Sequence, residues 1–270
     1  MPQTNDTVLI RKGNTRTEHP AREFAPQYAE SAALSAAVYK APNDSQRLLD
    51  VVFLTKAGWR HWHDAPVIKQ PEGLRILIEG LSYEIWEKRL SENQLVIALV
   101  FRGSDGPDDW WTNFRWVTRY VPFTQDQYEQ VKYLVPLLVQ AIQQFHAGKN
   151  LSFIAAGHSL GGGLAQQAAY ISDRIKEVYA FDSSPVTGFQ TTPNPPRDTN
   201  AKGIKIFRVY EKGEVLSPAR TLLRQFMPLS LQDPEITEAR FNFSAGENSV
   251  EEHSIQVLAK NLREASNTAG

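Results

Sequence analysis

Leu151-Ser152-Phe153-Ile154-Ala155-Ala156-Gly157-His158-Ser159-Leu160-Gly161-Gly162-Gly163-Leu164-Ala165 is the stretch on which the reading of this chain turns. Its first half is a short apolar run of the kind a buried strand requires. Residues 164–171 continue as an Ala- and Gln-rich segment that predicts a helix. Between them Gly157-His158-Ser159-Leu160-Gly161 has the form G-x-S-x-G. Strand, G-x-S-x-G, helix is the setting of a nucleophile elbow, which lifts one hydroxyl above the end of a parallel sheet. A side chain at either flanking glycine would collide with the neighbouring strand or helix. The bend itself costs about 1–3 kcal/mol of backbone strain and persists only where packing enforces it. The competing description is a Gly-rich turn with an idle serine, and the extra small residues Gly162 and Gly163 argue against it.

With 270 residues, 41% of them hydrophobic, the chain can bury one large core, and α/β folds of this length are commonly one domain. A polar lead-in over residues 1–23, poorly ordered or edge-lying, followed by a single domain over 24–270 is the expected organisation. The net charge of -1 argues against nucleic acid or a polybasic membrane anchor as the main partner. There is no cysteine, which excludes disulfides, thiolate metal sites and cysteine nucleophiles. Residues 1–19 lack the apolar core of a signal peptide, and no later run is long enough for a membrane helix. A soluble protein, cytoplasmic at synthesis, is therefore expected, with leaderless export left open.

In chain order, residues 24–40 predict a helix with Pro26 in its first turn. Residues 50–55, 74–79 and 82–90 alternate as strands do, and form an antiparallel N-terminal part of the sheet. Arg60-His61-Trp62-His63-Asp64 places two histidines two apart, but no third ligand is near. A solvent-facing aromatic loop is expected there, and no metal. Residues 94–101 read as a central strand, followed by Arg102-Gly103-Ser104-Asp105-Gly106. A loop so placed supplies a hydrolase's second oxyanion donor. Ser104 N–H and Leu160 N–H are the expected pair, each worth about 3–4 kcal/mol to the transition state. The aromatic cluster that follows holds Trp110, Trp111, Phe114 and Trp116. Core packing and an acyl-chain wall or cover in contact with lipid fit these residues equally well.

Residues 125–145 carry apolar positions three and four apart, an amphipathic helix containing Pro136, and return the chain to the 151 strand. Residues 177–181 and 204–210 are further strands, separated by a Pro- and Asn-containing surface loop over 187–202. Residues 216–226 predict a helix. Ser249-Val250-Glu251-Glu252 has the form of a capping box for a final helix holding Ile255, Leu258 and Leu262. The pattern describes an α/β fold with a mostly parallel central sheet and helices on both faces.

A serine hydroxyl needs a base, and the base an acid to hold its tautomer; in sheets of this type their order is Ser, acid, His. His253 is the only histidine after Ser159. His158 sits within the elbow with its side chain directed elsewhere. For the acid, Glu214 follows the 204–210 strand and is preferred over Asp182, which ends the preceding strand; Glu211 and Asp233 are weaker.

Val100-Phe101-Arg102-Gly103-Ser104, then Asp109-Trp110 and Asn113, then Gly157-His158-Ser159-Leu160-Gly161-Gly162 resemble the class 3, fungal-lipase-like lipases of the α/β-hydrolase superfamily. Ala33-Leu34-Ser35-Ala36-Ala37-Val38-Tyr39 is similar to that family's opening helix, so the likeness covers residues 28–260. It implies Ser159 as nucleophile, Ser104 and Leu160 as oxyanion donors, and His253 as base. The family's acid is usually Asp, and Glu214 stands at the matching position. No lid segment of the family's kind is recognisable, which favours esterase or phospholipase over triglyceride lipase activity. The resemblance implies no cofactor. It implies an acyl-lipid or small ester substrate, with transient contact at a lipid interface. Two alternatives stay open: a catalytically inactive binding module, and a thioesterase or acyltransferase using the same elbow.

Overall fold

The computed structural model describes residues 6–65, 81–103, 121–184, 186–212, 233–243 and 254–267. Within them lies one nine-stranded sheet in the order β2-β1-β9-β8-β7-β6-β5-β4-β3. Its parallel centre runs β5 (Gln94–Phe101), β6 (Asn150–His158), β7 (Ile175–Phe181), β8 (Lys205–Glu211) and β9 (Glu235–Asn242). One flank is antiparallel through β3 (Trp59–His61) and β4 (Tyr83–Ser91), the other through β1 (Thr7–Lys12) and β2 (Thr15–Pro20). The centre is parallel because β5, β6 and β7 are linked through helices, which lie over the sheet faces and bury both of them.

The helices are α1 (Ala21–Ala37), α2 (Ser45–Lys56), α3 (Val121–Phe145), α4 (Leu160–Ile171), the short α5 (Arg197–Asn200) and α6 (Ile255–Asn267). On one face α3 and α4 pack on Ile97, Leu99, Phe101, Phe153, Val178 and Ile206. On the other, α1 and α6 cover Val8, Val209, Phe181 and Phe241, while α1 and α2 enclose Trp86, Ala98 and Val100. Adjacent strand residues such as Val100 and Phe101 serve opposite cores, as the period-two alternation of a strand demands. The expected α/β architecture, mostly parallel with helices on both faces, is observed. No helix among the described residues is long and apolar enough to cross a membrane.

Several expectations need correction. Residues 50–55 are not a strand but the core of helix α2. The alternation Asp50, Val51, Val52, Phe53 misleads because this helix buries charge: Arg47 and Asp50 lie inside, while Leu48, Leu49 and Val52 are 50%, 57% and 52% exposed. Of the two readings open for the lead-in over residues 1–23, poorly ordered or edge-lying, the described part is edge-lying: it forms the β1–β2 hairpin, paired through β1 to β9 at one side of the sheet. Of the loop expected over Arg60–Asp64, Arg60 and His61 belong instead to the edge strand β3 on β4. The loop over 187–202 includes the one-turn helix α5, and β9 was not foreseen. The strand expected over 74–79 and the helix over 216–226 fall outside the described residues.

Candidate active site

Three segments converge at the C-terminal edge of the parallel strands, where open α/β sheets bind ligands. They are Arg102-Gly103 after β5, the β6–α4 turn at Ser159, and Asp182-Ser183-Ser184 after β7. Ser159 has φ 56° and ψ -123°. A residue with a side chain rarely takes this left-handed conformation, and here the surroundings enforce it. Its N–H donates to Phe181 O at 2.9 Å; its carbonyl accepts Gly162 N–H at 3.1 Å and Ser184 N–H at 3.0 Å. The Ser159 side chain makes no capping hydrogen bond to helix α4, so its hydroxyl is not committed to the helix it precedes. Leu160 opens that helix, and its N–H is among the first four that lack an intrahelical acceptor. These amides and the helix dipole favour negative charge at this end.

The elbow is as tight as its glycines predicted. A Cβ at Gly161 would lie 2.2 Å from Phe101 O, on backbone that cannot swing aside, and one at Gly157 would lie 2.4 Å from Gly161 O.

Tyr39, two residues beyond α1, joins two of the three segments. Its hydroxyl accepts Gly103 N–H at 2.8 Å and donates to His158 O at 3.1 Å. The His158 ring stands edge-on to the tyrosine ring, with Nδ1 3.2 Å from the hydroxyl, so this histidine is directed away from Ser159's position on the elbow. The Arg102 guanidinium lies over the Tyr39 ring, 5.7 Å from its centre. Burial pushes the phenol's pKa up, against the Gly103 N–H and the Arg102 charge, so the hydroxyl keeps its proton at neutral pH.

Asp182 is fully buried at φ 38°. Its Oδ1 accepts Glu211 N–H at 3.1 Å, and Glu211 Oε1 in turn accepts Phe243 N–H at 2.8 Å. The two carboxylates thus link the ends of β7, β8 and β9. Of the residues expected at the site, Ser159, Leu160 and Asp182 are brought to this edge. Ser104, Glu214, His253, Trp110, Trp111, Phe114 and Trp116 lie outside the described residues. His61 and His63 approach each other, Nδ1 to Nδ1, at 3.1 Å, with Glu84 3.5 Å from His61 Nε2. Among the described residues no group of three or more His, Asp or Glu is arranged to hold a metal. The role of Tyr39 escaped the sequence reading, which saw it only as the end of a helix of small residues.

A family model described as "Phospholipase-like: Tle-like phospholipase domain" matches residues 30–225. Comparison with curated protein sequences returns no match. Among solved structures, lipase II from Rhizopus niveus is similar at 16% identity and a TM-score of 0.50, over 79% of this chain and 78% of that one. M37 lipase aligns at 10% identity and a TM-score of 0.41, over 92% of this chain and 81% of that one. A triacylglycerol lipase from Penicillium expansum aligns at 16% and 0.34, over 70% and 72%. The resemblance to lipases read from the motifs and the fold shared with the Rhizopus enzyme agree with the match over most of the chain. The chain belongs to the Tle-like phospholipase domain family and carries it on an α/β-hydrolase fold.

Proposed function

We propose that this protein is a serine hydrolase that cleaves carboxylic esters of acyl lipids through an acyl-enzyme. The observation that carries the reading is the strained backbone of Ser159, held between β6 and the N-terminus of α4 by three backbone hydrogen bonds. A positive-φ residue between strand and helix is the backbone form of a nucleophile elbow, which presents a hydroxyl at the ligand-binding edge of the sheet.

In this reading His253 removes the Ser159 proton as Oγ attacks the ester carbonyl, and Glu214 holds the imidazole in the required tautomer. The carbonyl oxygen becomes an oxyanion facing the N–H groups of Ser104 and Leu160. Collapse of that intermediate breaks the ester C–O bond, and His253 returns its proton to the departing alcohol. Water, deprotonated by the same histidine, then releases the fatty acid and restores Ser159. The phospholipase-like description of the family supports phospholipids as the lipid class, and Trp110, Trp111, Phe114 and Trp116 are the proposed acyl-contacting side chains.

The test is labelling with a fluorophosphonate, the adduct being located by mass spectrometry, beside fatty-acid release from phosphatidylcholine vesicles. Modification of Ser159 with loss of fatty-acid release is expected. An unreactive protein, or an adduct on another residue, overturns the proposal.

A further inference from the structure

We infer that Tyr39 is a positioning residue for the oxyanion loop, setting the distance between the chain at Gly103 and the nucleophile elbow. The inference rests on the proposed hydrolase reading and adds to it a residue outside the Ser-His-acid set.

A single oxygen bridges two segments that are 55 residues apart in sequence, with His158 at one and Gly103 at the other. The Gly103 N–H donates to the tyrosine hydroxyl at 2.8 Å, so outward movement of the loop breaks a hydrogen bond from a half-buried donor. The approach is close: a Cβ built on Gly103 would sit 2.3 Å from the same oxygen and 2.9 Å from His158 O, so a side chain here would force the loop away from the elbow. The glycine is therefore the counterpart of the tyrosine, and the residue after it is Ser104, the proposed donor. On the other side the hydroxyl donates to His158 O, one residue before Ser159. His158 Nδ1 lies 3.2 Å from the same hydroxyl, so the ring of the residue before Ser159 also contacts the bridging oxygen.

Donors of an oxyanion hole act on charge that appears only in the transition state, so a change in their placement lowers turnover rather than substrate binding. Tyr39→Phe keeps the ring and removes the bridge. With p-nitrophenyl butyrate, kcat should fall by about 10- to 100-fold, somewhat less than loss of a donor itself. KM should stay within about twofold, and affinity for a trifluoromethyl ketone should fall by the same factor as kcat. An unchanged kcat, or a loss confined to KM, overturns the inference. Should Tyr39→Phe fail to fold, Gly103→Ala serves in its place, since it drives a methyl group onto the hydroxyl; a soluble Gly103→Ala enzyme with wild-type kcat also overturns it. Where both fold, the Gly103→Ala loss must be smaller in the Tyr39→Phe background than in the wild type, because the closest clash has been removed. Equal losses in the two backgrounds refute the coupling. Fluorophosphonate labelling of the wild type separates the cases: no labelling defeats the hydrolase reading itself, whereas labelling with an unaffected Tyr39→Phe variant defeats only the role of Tyr39.

Discussion

The carboxylate of Asp182 accepts the backbone N–H of Glu211 at 3.1 Å, across the ends of two adjacent parallel strands. That bond gives a candidate triad acid a structural task, and it ranks the two rivals. Asn at 182 retains an acceptor for the Glu211 N–H and tolerates a positive φ. Asp182→Asn should therefore keep most of the activity, while Glu214→Gln should lower kcat by about 10⁴-fold, as loss of a triad acid does. Steady-state kinetics on the two variants check this, and the reverse ranking moves the acid to Asp182. Asp182→Ala, which orphans the N–H, should cost about 1–3 kcal/mol in urea unfolding.

Gly161 admits no side chain. Its Cβ would meet Phe101 O at 2.2 Å and Phe101 C at 2.9 Å, both backbone. Gly161→Ala should destabilise the fold by about 3 kcal/mol, at the upper end of overpacking costs. Chemical denaturation, read from the midpoint at unchanged slope, measures the loss.

Helix α2 should respond to substitution in inverted fashion. Arg47 reaches Glu84 at 2.9 Å and the carbonyl of Ala37 near the end of α1, and Asp50 pairs with Arg263 of α6. Asp50→Ala leaves a largely buried guanidinium without its anion, and should cost about 3 kcal/mol. Leu49→Ala, on the exposed side, should change stability by no more than about 0.5 kcal/mol. Equal losses at the two positions would contradict the observed orientation of the helix.

Acid should weaken the fold through two histidines. Burial lowers the pKa of His61 most, with His63 and Arg47 adding to the effect and Glu84 opposing it. Burial also lowers His146 most; Lys149, Arg60 and Arg89 reinforce the shift, against Glu87. With folded pKa values below the unfolded value of 6.5, their contribution to stability is fully present above that pH. It is lost as pH falls through the folded values, because the unfolded chain takes up protons first. Melting temperatures at pH 7.5, 6.5 and 5.5 should decline, and the His61→Gln/His146→Gln double variant should show a shallower decline.

The elbow was legible in the sequence because its chemistry is local. Glycines around a serine, between a short apolar run and an alanine-rich one, specify a turn that few other conformations accommodate. The continuous apolar strands 94–101 and 151–156 were legible for a similar reason: a strand buried on both faces has almost no polar positions, whatever its neighbours. With the 177–181 and 204–210 strands they implied the parallel centre, and with Asp109-Trp110, Asn113 and the Ala33–Tyr39 segment they carried the family resemblance. What tertiary structure decided was every feature that depends on a partner distant in sequence. Helix α2 read as a strand because Arg47 and Asp50 find buried counter-charges on β4 and α6, which reverses the polarity that periodicity assumes. Strand β9, with Thr237 and Glu238 buried among its apolar residues, is paired between β8 and the N-terminal hairpin. Tyr39 gained a role only when α1 brought its hydroxyl between Gly103 and His158. Local steric limits can be read along a chain, whereas the energy of a buried charge or a bridging hydroxyl depends on what folding sets beside it.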